Sequence, residues 1–289
     1  LDDFEDSRLP LWSINLEIPV KDNTLQLLVI PDQSKSEIPE AGSTFAFTSP
    51  RIVPSAPSPG TGLTVIQKSA VKPSSGFDNA DAGLRWTGFK NGWDYSLNYL
   101  YHYDDLPTLY QHRQGSTVTI DPQYERSHLM GGTFTKSFSD YTLRGELGYS
   151  TDMHFLSTDP TVANGILESD ELSTVIGLDY SGISDTFISG QLFQSRILDN
   201  SQGLTRPKND TSLTFLARRM FRNDTLEAEI LWLANTHDGD GLIRPKLSYD
   251  IKDDVKAWIG ADIFYGDIEG LFGQFGDKDR VLLGLEIGF

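Results

Sequence analysis

Val281–Phe289 reads "VLLGLEIGF". Val281, Leu283, Leu285, Ile287 and Phe289 alternate with Leu282, Gly284, Glu286 and Gly288, the two-residue period of a strand with one apolar side. The same period recurs along the chain. In 11–20, Trp12, Ile14, Leu16, Ile18 and Val20 oppose Ser13, Asn15, Glu17 and Pro19; in 93–102, Trp93, Tyr95, Leu97, Tyr99 and Tyr101 oppose Asp94, Ser96, Asn98, Leu100 and His102. Segments 141–150, 242–251 and 255–265 repeat it, and no stretch reads as an amphipathic helix. Strands of soluble sandwiches run about five or six residues. A tilted strand crossing a bilayer needs about nine to eleven, and these segments have that length. Trp12, Trp93, Tyr101, Tyr141, Tyr149, Tyr249 and Tyr265 sit near strand ends, where a membrane interface accommodates amphipathic rings.

Composition narrows the classes. Only 38% of the 289 residues are hydrophobic and no run of 18 apolar residues occurs, so no transmembrane helix is expected. The absence of cysteine excludes disulfides, thiolate metal sites and Cys nucleophiles on this chain. A formal charge of −17 argues against nucleic acid, whose phosphates require a basic face. Aromatics at 11% and 26 glycines suit a β-rich chain with many tight turns.

The connections alternate in length. Short ones fall at 21–23, 90–92, 137–140, 182–185, 222–224 and 252–254; long ones fall at 33–78, 103–123, 152–170, 197–211, 235–241 and 266–279. Short turns on one side and long loops on the other describe a membrane barrel. The expected fold is therefore all-β: a transmembrane antiparallel up-and-down barrel, one domain over 1–289, with about thirteen strands. The facing of the strands near 24–32 and 186–197 is open, because both alternate poorly. The last strand leaves a long loop and the first ends at a short turn, so both run the same way. Antiparallel closure then calls for an odd number of further strands, fourteen in all or next sixteen, from a preceding segment or another chain.

A Phe-terminated alternating strand such as 281–289 resembles the C-terminal strands of Gram-negative outer-membrane β-barrels. "RLPLWSINLEIPVKDNTLQLLVIPD" and "GADIFYGDIEGLFGQFGDKDRVLLGLEIGF" are similar to segments of uncharacterised porin-like proteobacterial barrels. The resemblance implies an outer-membrane location among outer-membrane lipid and Phe289 as a signal read by the barrel-assembly machinery; the last strand, coming out of a long loop, is expected to end in the periplasm. It implies no substrate.

The search for chemistry finds no G-x-S-x-G, H-E-x-x-H or P-loop pattern. The five histidines are scattered, and a rim site pairing His154 or His128 with a serine is the only catalytic arrangement they suggest; exposed, non-catalytic histidines are the preferred reading. "HDGDG" (237–241) and "FGDKD" (275–279) resemble fragments of calcium loops, but both also suit Asp-Gly turns, which is the preferred reading. No catalytic residue, cofactor or metal ligand is expected.

Turning the apolar face of each strand to lipid sends a charged set inward: Glu17, Asp81, Arg85, Asp94, Arg144, Glu146, Asp179, Arg218, Glu227, Glu229, Arg244, Lys246, Asp250, Lys256, Asp262 and Glu286. At mid-depth on the lipid face an Arg or Lys would cost roughly 2–4 kcal/mol. Two readings of this set stand. Arg144, Arg218, Arg244, Lys246 and Lys256 form a basic ladder opposed by Glu227, Glu229 and Glu286, which sets a transverse field, or the charges pair and rigidify the wall. Segment 33–78 holds Pro39, Pro50, Pro54, Pro57, Pro59 and Pro73, and contains the apolar pieces "TFAF" and "LTVI". Loops of that length are functional or disordered; this one, with its apolar pieces, is expected to fold over or into the lumen and narrow it. The expected function is a porin-like channel for passive or substrate-selective diffusion of small polar or amphipathic solutes. The alternatives are a structural or export barrel that sheathes a partner and, third, a rim-located hydrolase.

Overall fold

The computed structural model describes residues 9–35, 39, 42–55, 57, 60–199 and 202–288. Thirteen strands form one antiparallel sheet: β1 (Ile14–Val20), β2 (Asn23–Ile30), β4 (Asp81–Lys90), β5 (Trp93–Tyr103), β8 (Arg126–Phe138), β9 (Tyr141–Leu156), β10 (Ile166–Tyr180), β11 (Thr186–Ile197), β12 (Asn209–Phe221), β13 (Leu226–Asn235), β14 (Gly241–Lys252), β15 (Val255–Tyr265) and β16 (Arg280–Ile287). Three shorter strands, β3 (Thr64–Gln67), β6 (Thr108–Gln114) and β7 (Thr117–Gln123), form a separate sheet in the order β3-β7-β6. Each strand of the large sheet pairs with its neighbour in the chain once β3, β6 and β7 are set aside. Among the described residues, no helix is long and apolar enough to cross a membrane.

The period-two pattern determines which way the sheet faces. Leu97, Leu147, Leu247, Ile259 and Leu283 lie on one side and are exposed despite being large and apolar. In water such a band would collapse or aggregate. Against hydrocarbon it is the favourable surface, while paired strands satisfy the backbone. Strands mostly of membrane-crossing length, an apolar outer band and an inward polar face make this the wall of a transmembrane β-barrel.

The short turns are tight because their sequences accept left-handed backbone. Asn91 and Gly92 both have positive φ, 53° and 79°, which is the twist a two-residue hairpin requires. At this turn Lys136 lies 4.8 Å from the Trp93 ring, and Trp93 meets Phe138 edge-on at 6.3 Å. The cation and rings form an interfacial anchor at the turn end. At the other end, Arg126 stacks 3.9 Å over Tyr103 and 4.6 Å over Tyr101.

Two long connections differ from expectation. Segment 103–123 contains the β6–β7 hairpin, and most of 152–170 extends β9 and β10, leaving a short connection at 157–165. These extensions carry the wall beyond the span a membrane requires and give the long segment a rim to dock on. The two poorly alternating strands acquire their facing from register: Gln26 pairs with Arg85, and Gln191 with Gly177, on the inner face. Their apolar inner residues Leu28, Ile30, Phe187 and Phe193 explain the weak alternation. The outer strands β1 and β16 run in the same direction, because thirteen antiparallel strands separate like edges.

Candidate functional site: the inner face and the segment that crosses it

Cross-strand register places the sequence-derived charges in rows. Glu17 pairs with Gln26, which pairs with Arg85 and then Asn98. Asp94 pairs with Thr135, and Thr135 with Arg144. Arg144 donates to Asp179 at 2.8 Å, and Glu146 lies between Thr133 and Val175. Further along, Arg218 pairs with Glu229 and Glu229 with Lys246, while Glu227 sits between Met220 and Ser248. Asp250 pairs with Lys256, and Lys256 with Glu286. Asp262 is fully buried and accepts from Arg244 Nε at 2.5 Å and Arg280 Nε at 2.6 Å. Acids and bases therefore alternate on neighbouring strands of one wall, β12–β16. Phe289 lies outside the described residues, as do residues 1–8.

Segment 33–78, in its described parts, contacts this face at successive places. It starts beside β5, where the buried Lys35 donates to the Tyr103 carbonyl at 3.0 Å. It next reaches β15, where Phe45 and Phe47 pack on Phe264 and Phe275, with Phe45 and Phe275 centroids 5.7 Å apart. There the Thr48 and Ser49 amides both donate to Gln274 Oε1, at 2.8 and 3.0 Å, and Ser49 Oγ donates to the Glu269 carbonyl. Arg51 follows, buried, with one guanidinium arm on Asp210 of β12 and the other on Asp238 after β13. Asn235, also buried, donates to Asp210 at 2.6 Å and accepts from the amides of His237 and Asp238, fixing both carboxylates.

Beyond Arg51, Pro54 and Ser55 line a cavity of about 540 Å³ with Gln111, Arg113, Thr205 and the 156–165 connection. The chain then adds β3 in parallel to β7 and returns to β4, where Lys72 Nζ donates to the Lys35 carbonyl at 3.2 Å. A segment with few charges is thus held at separate points on strands from both halves of the sheet. Its "TFAF" piece meets an inner apolar zone: Leu233, Leu242 and Phe264 are cross-strand neighbours, as are Leu216 and Leu231 in the next row. Sequence pattern reserves apolar residues for the lipid side, so this zone and Arg51 escape it; "TFAF" inside a Pro-rich loop is the signal that finds them.

The histidines fall elsewhere. His128 lies on the outer side, bonded to Tyr99 Oη at 2.8 Å and stacked on Tyr101. His154 faces Tyr110 edge-on, at 6.4 Å. His102 Nε2 lies 3.4 Å from Ser127 Oγ, but that serine is buried and donates instead to Asp104 at 2.7 Å. Burial pushes the Asp104 carboxyl up, against the bond from Ser127, which lowers it. Tyr110 is raised by burial and by its bond to Glu125. Asp121 of β7 is held low by its hydrogen bond from Lys68. The "HDGDG" stretch places Asp240 so that Oδ2 accepts from the Phe272 and Gly273 amides, at 2.6 and 3.1 Å, which ties two rim loops together. Among the described residues, no group of three or more His, Asp or Glu is placed to hold a metal ion.

Comparison with solved structures returns outer-membrane proteins. OmpT of Vibrio cholerae aligns over 95% of this chain and 80% of its own, with 9% identity and a TM-score of 0.46. Its loop L8 deletion mutant aligns over 88% and 74%, with 10% identity and a TM-score of 0.43. The toluene transporter TodX of Pseudomonas putida aligns over 73% and 74%, with 10% identity and a TM-score of 0.36. No curated protein matches the sequence. Residues 1–208 match the family described as "Protein of unknown function (DUF1302)", and the chain belongs to that family.

Proposed function

We propose that this chain forms a porin-like outer-membrane channel for small polar or amphipathic solutes, narrowed at its mouth by the 33–78 segment. In this reading the short turns and the C-terminus are periplasmic, the long segment enters from the extracellular side, and the inward charges line the lumen. The observation that carries it is the Arg51 clamp. A loop pinned by a buried guanidinium between a carboxylate of β12 and one of the β13–β14 connection is a built constriction. An inner face so rich in charge must in turn hold water or ion pairs, since isolated charges cannot sit in a dry core.

Planar-bilayer recording on the purified chain tests the proposal. Discrete conductance steps are expected, and removal of residues 40–74 should enlarge them. A barrel that inserts but passes no current contradicts it.

A further inference from the structure

We infer that the pathway favours uncharged solutes carrying hydroxyl or amide groups and discriminates little between cations and anions; this rests on the channel reading above. The first observation is charge cancellation. On β12–β16 an acid and a base are cross-strand neighbours at successive levels: Arg218 with Glu229, Asp250 with Lys256, and Asp262 with both Arg244 and Arg280. Adjacent strands lie about 4.8 Å apart. Opposite charges at that spacing cancel within roughly one screening length, about 8 Å in physiological salt. A passing ion therefore meets alternating signs and no sustained potential.

The second observation concerns β5–β11. Here the inner face presents Ser96, Asn98, Thr133, Thr135, Ser173 and Gln191, neutral groups able both to donate and to accept. Gly131, Gly148 and Gly177 interleave with them, and the Leu129 and Gln191 side chains lie over Gly148 and Gly177. Its charged members include the bonded pair Arg144–Asp179 and Glu146. Ser96 and Thr133 bond to each other at 2.8 Å, and Asn98 donates to Ser96 at 3.0 Å, forming a preorganised hydroxyl–amide array. Independently, Ser189 on the same face is buried and its hydroxyl has no protein partner. A hydroxyl-bearing solute moving along this stretch can exchange hydrogen bonds with water for hydrogen bonds with the wall at little net cost. An anion finds no base there beyond Arg144, which is bonded to Asp179, and a cation finds only Asp94 and Glu146, whose cross-strand neighbours are uncharged, beside Glu171, which is bonded to Arg206.

The test combines two readings on the full chain. In bilayers under a KCl gradient, the zero-current potential should lie near zero, with cation and anion permeabilities within about twofold. In liposome swelling, neutral sugars should enter faster than a sugar acid or an amino sugar of similar size. The double variant Ser173→Asp, Gln191→Glu should turn the pore cation-selective by at least about threefold, because it adds unpaired acidic charge to that stretch. Strong native selectivity for either ion, or a selectivity unmoved by the double variant while conductance persists, overturns the inference and leaves the channel standing. Absence of both current and swelling overturns the channel reading and the inference with it.

Discussion

Arg51 donates to the carboxylate of Asp210 across 159 residues of sequence, and its other arm reaches Asp238. No strand of the wall contains Arg51, yet its side chain is only 6% exposed. Replacing it with Met leaves two carboxylates facing each other in a buried site. Breaking a buried pair by removing one partner costs about 3–5 kcal/mol, enough to release the segment. The expected outcome is protease cleavage within 43–55 in Arg51→Met and none in the native barrel. Lys should rescue poorly, because a single ammonium cannot serve two separated carboxylates as a guanidinium fork does. Equal protection of native and Met proteins would show that the segment is held without the clamp.

Several glycines face an aromatic ring directly across the sheet. Gly284 pairs with Trp258, Gly145 with Phe134 and Gly88 with Tyr95, and a Cβ on Gly284 would meet the indole at 2.1 Å. The ring lies over the bare backbone and needs it bare. Gly284→Ala should therefore destabilise the barrel by about 1–3 kcal/mol, as overpacking does. Heat-modified migration on a gel should show unfolding at a lower temperature. Trp258→Ala in the same chain should recover part of the loss, and a purely additive double variant would contradict the ring-over-glycine account.

Asp262 holds two arginines with one fully buried carboxylate. Asp262→Ala leaves Arg244 and Arg280 side by side with no shared acid, and should cost about 3–5 kcal/mol. Asp250→Ala, whose carboxylate is exposed and lies 3.7 Å from Lys256, should cost no more than about 1 kcal/mol. Denaturant unfolding in detergent compares the two, and equal losses would show that burial does not set the cost.

Burial raises the Asp104 carboxyl above its ordinary 3.8, so the folded state binds its proton more tightly than the unfolded chain does. Stability from this group is present below that value and is lost as pH rises through the folded value. Asp104→Asn, which can still accept from Ser127, should therefore gain stability over the native protein at about pH 7 and none at about pH 3. A gain of the same size at both pH values would place its origin outside this ionisation.

The wall is more legible in the sequence than the site. Leu97, Leu147, Leu247 and Leu283 announce their facing because a membrane strand has one solvent on each side, and the two-residue period records that contrast. Alternation fades in β2 and β11, where Leu28 and Phe193 are apolar on the inner side too, and there only the register with neighbouring strands decides. The inward charges are readable as a set, but which acid meets which base depends on strand stagger, so the alternation of Arg218, Glu229 and Lys246 emerges only from the paired sheet. The β6–β7 hairpin is hidden because Gln111, His112 and Arg113 break its pattern outside any membrane. Arg51 is the least visible of all, since its partners lie far along the chain and nothing local marks it.

Single-channel recording of the native chain beside Arg51→Met tests the central claim most directly. The account predicts open steps in the native protein and larger, noisier steps in the variant, as the released segment clears the mouth. Native and variant barrels of identical conductance, or native barrels that insert and stay silent, would contradict it.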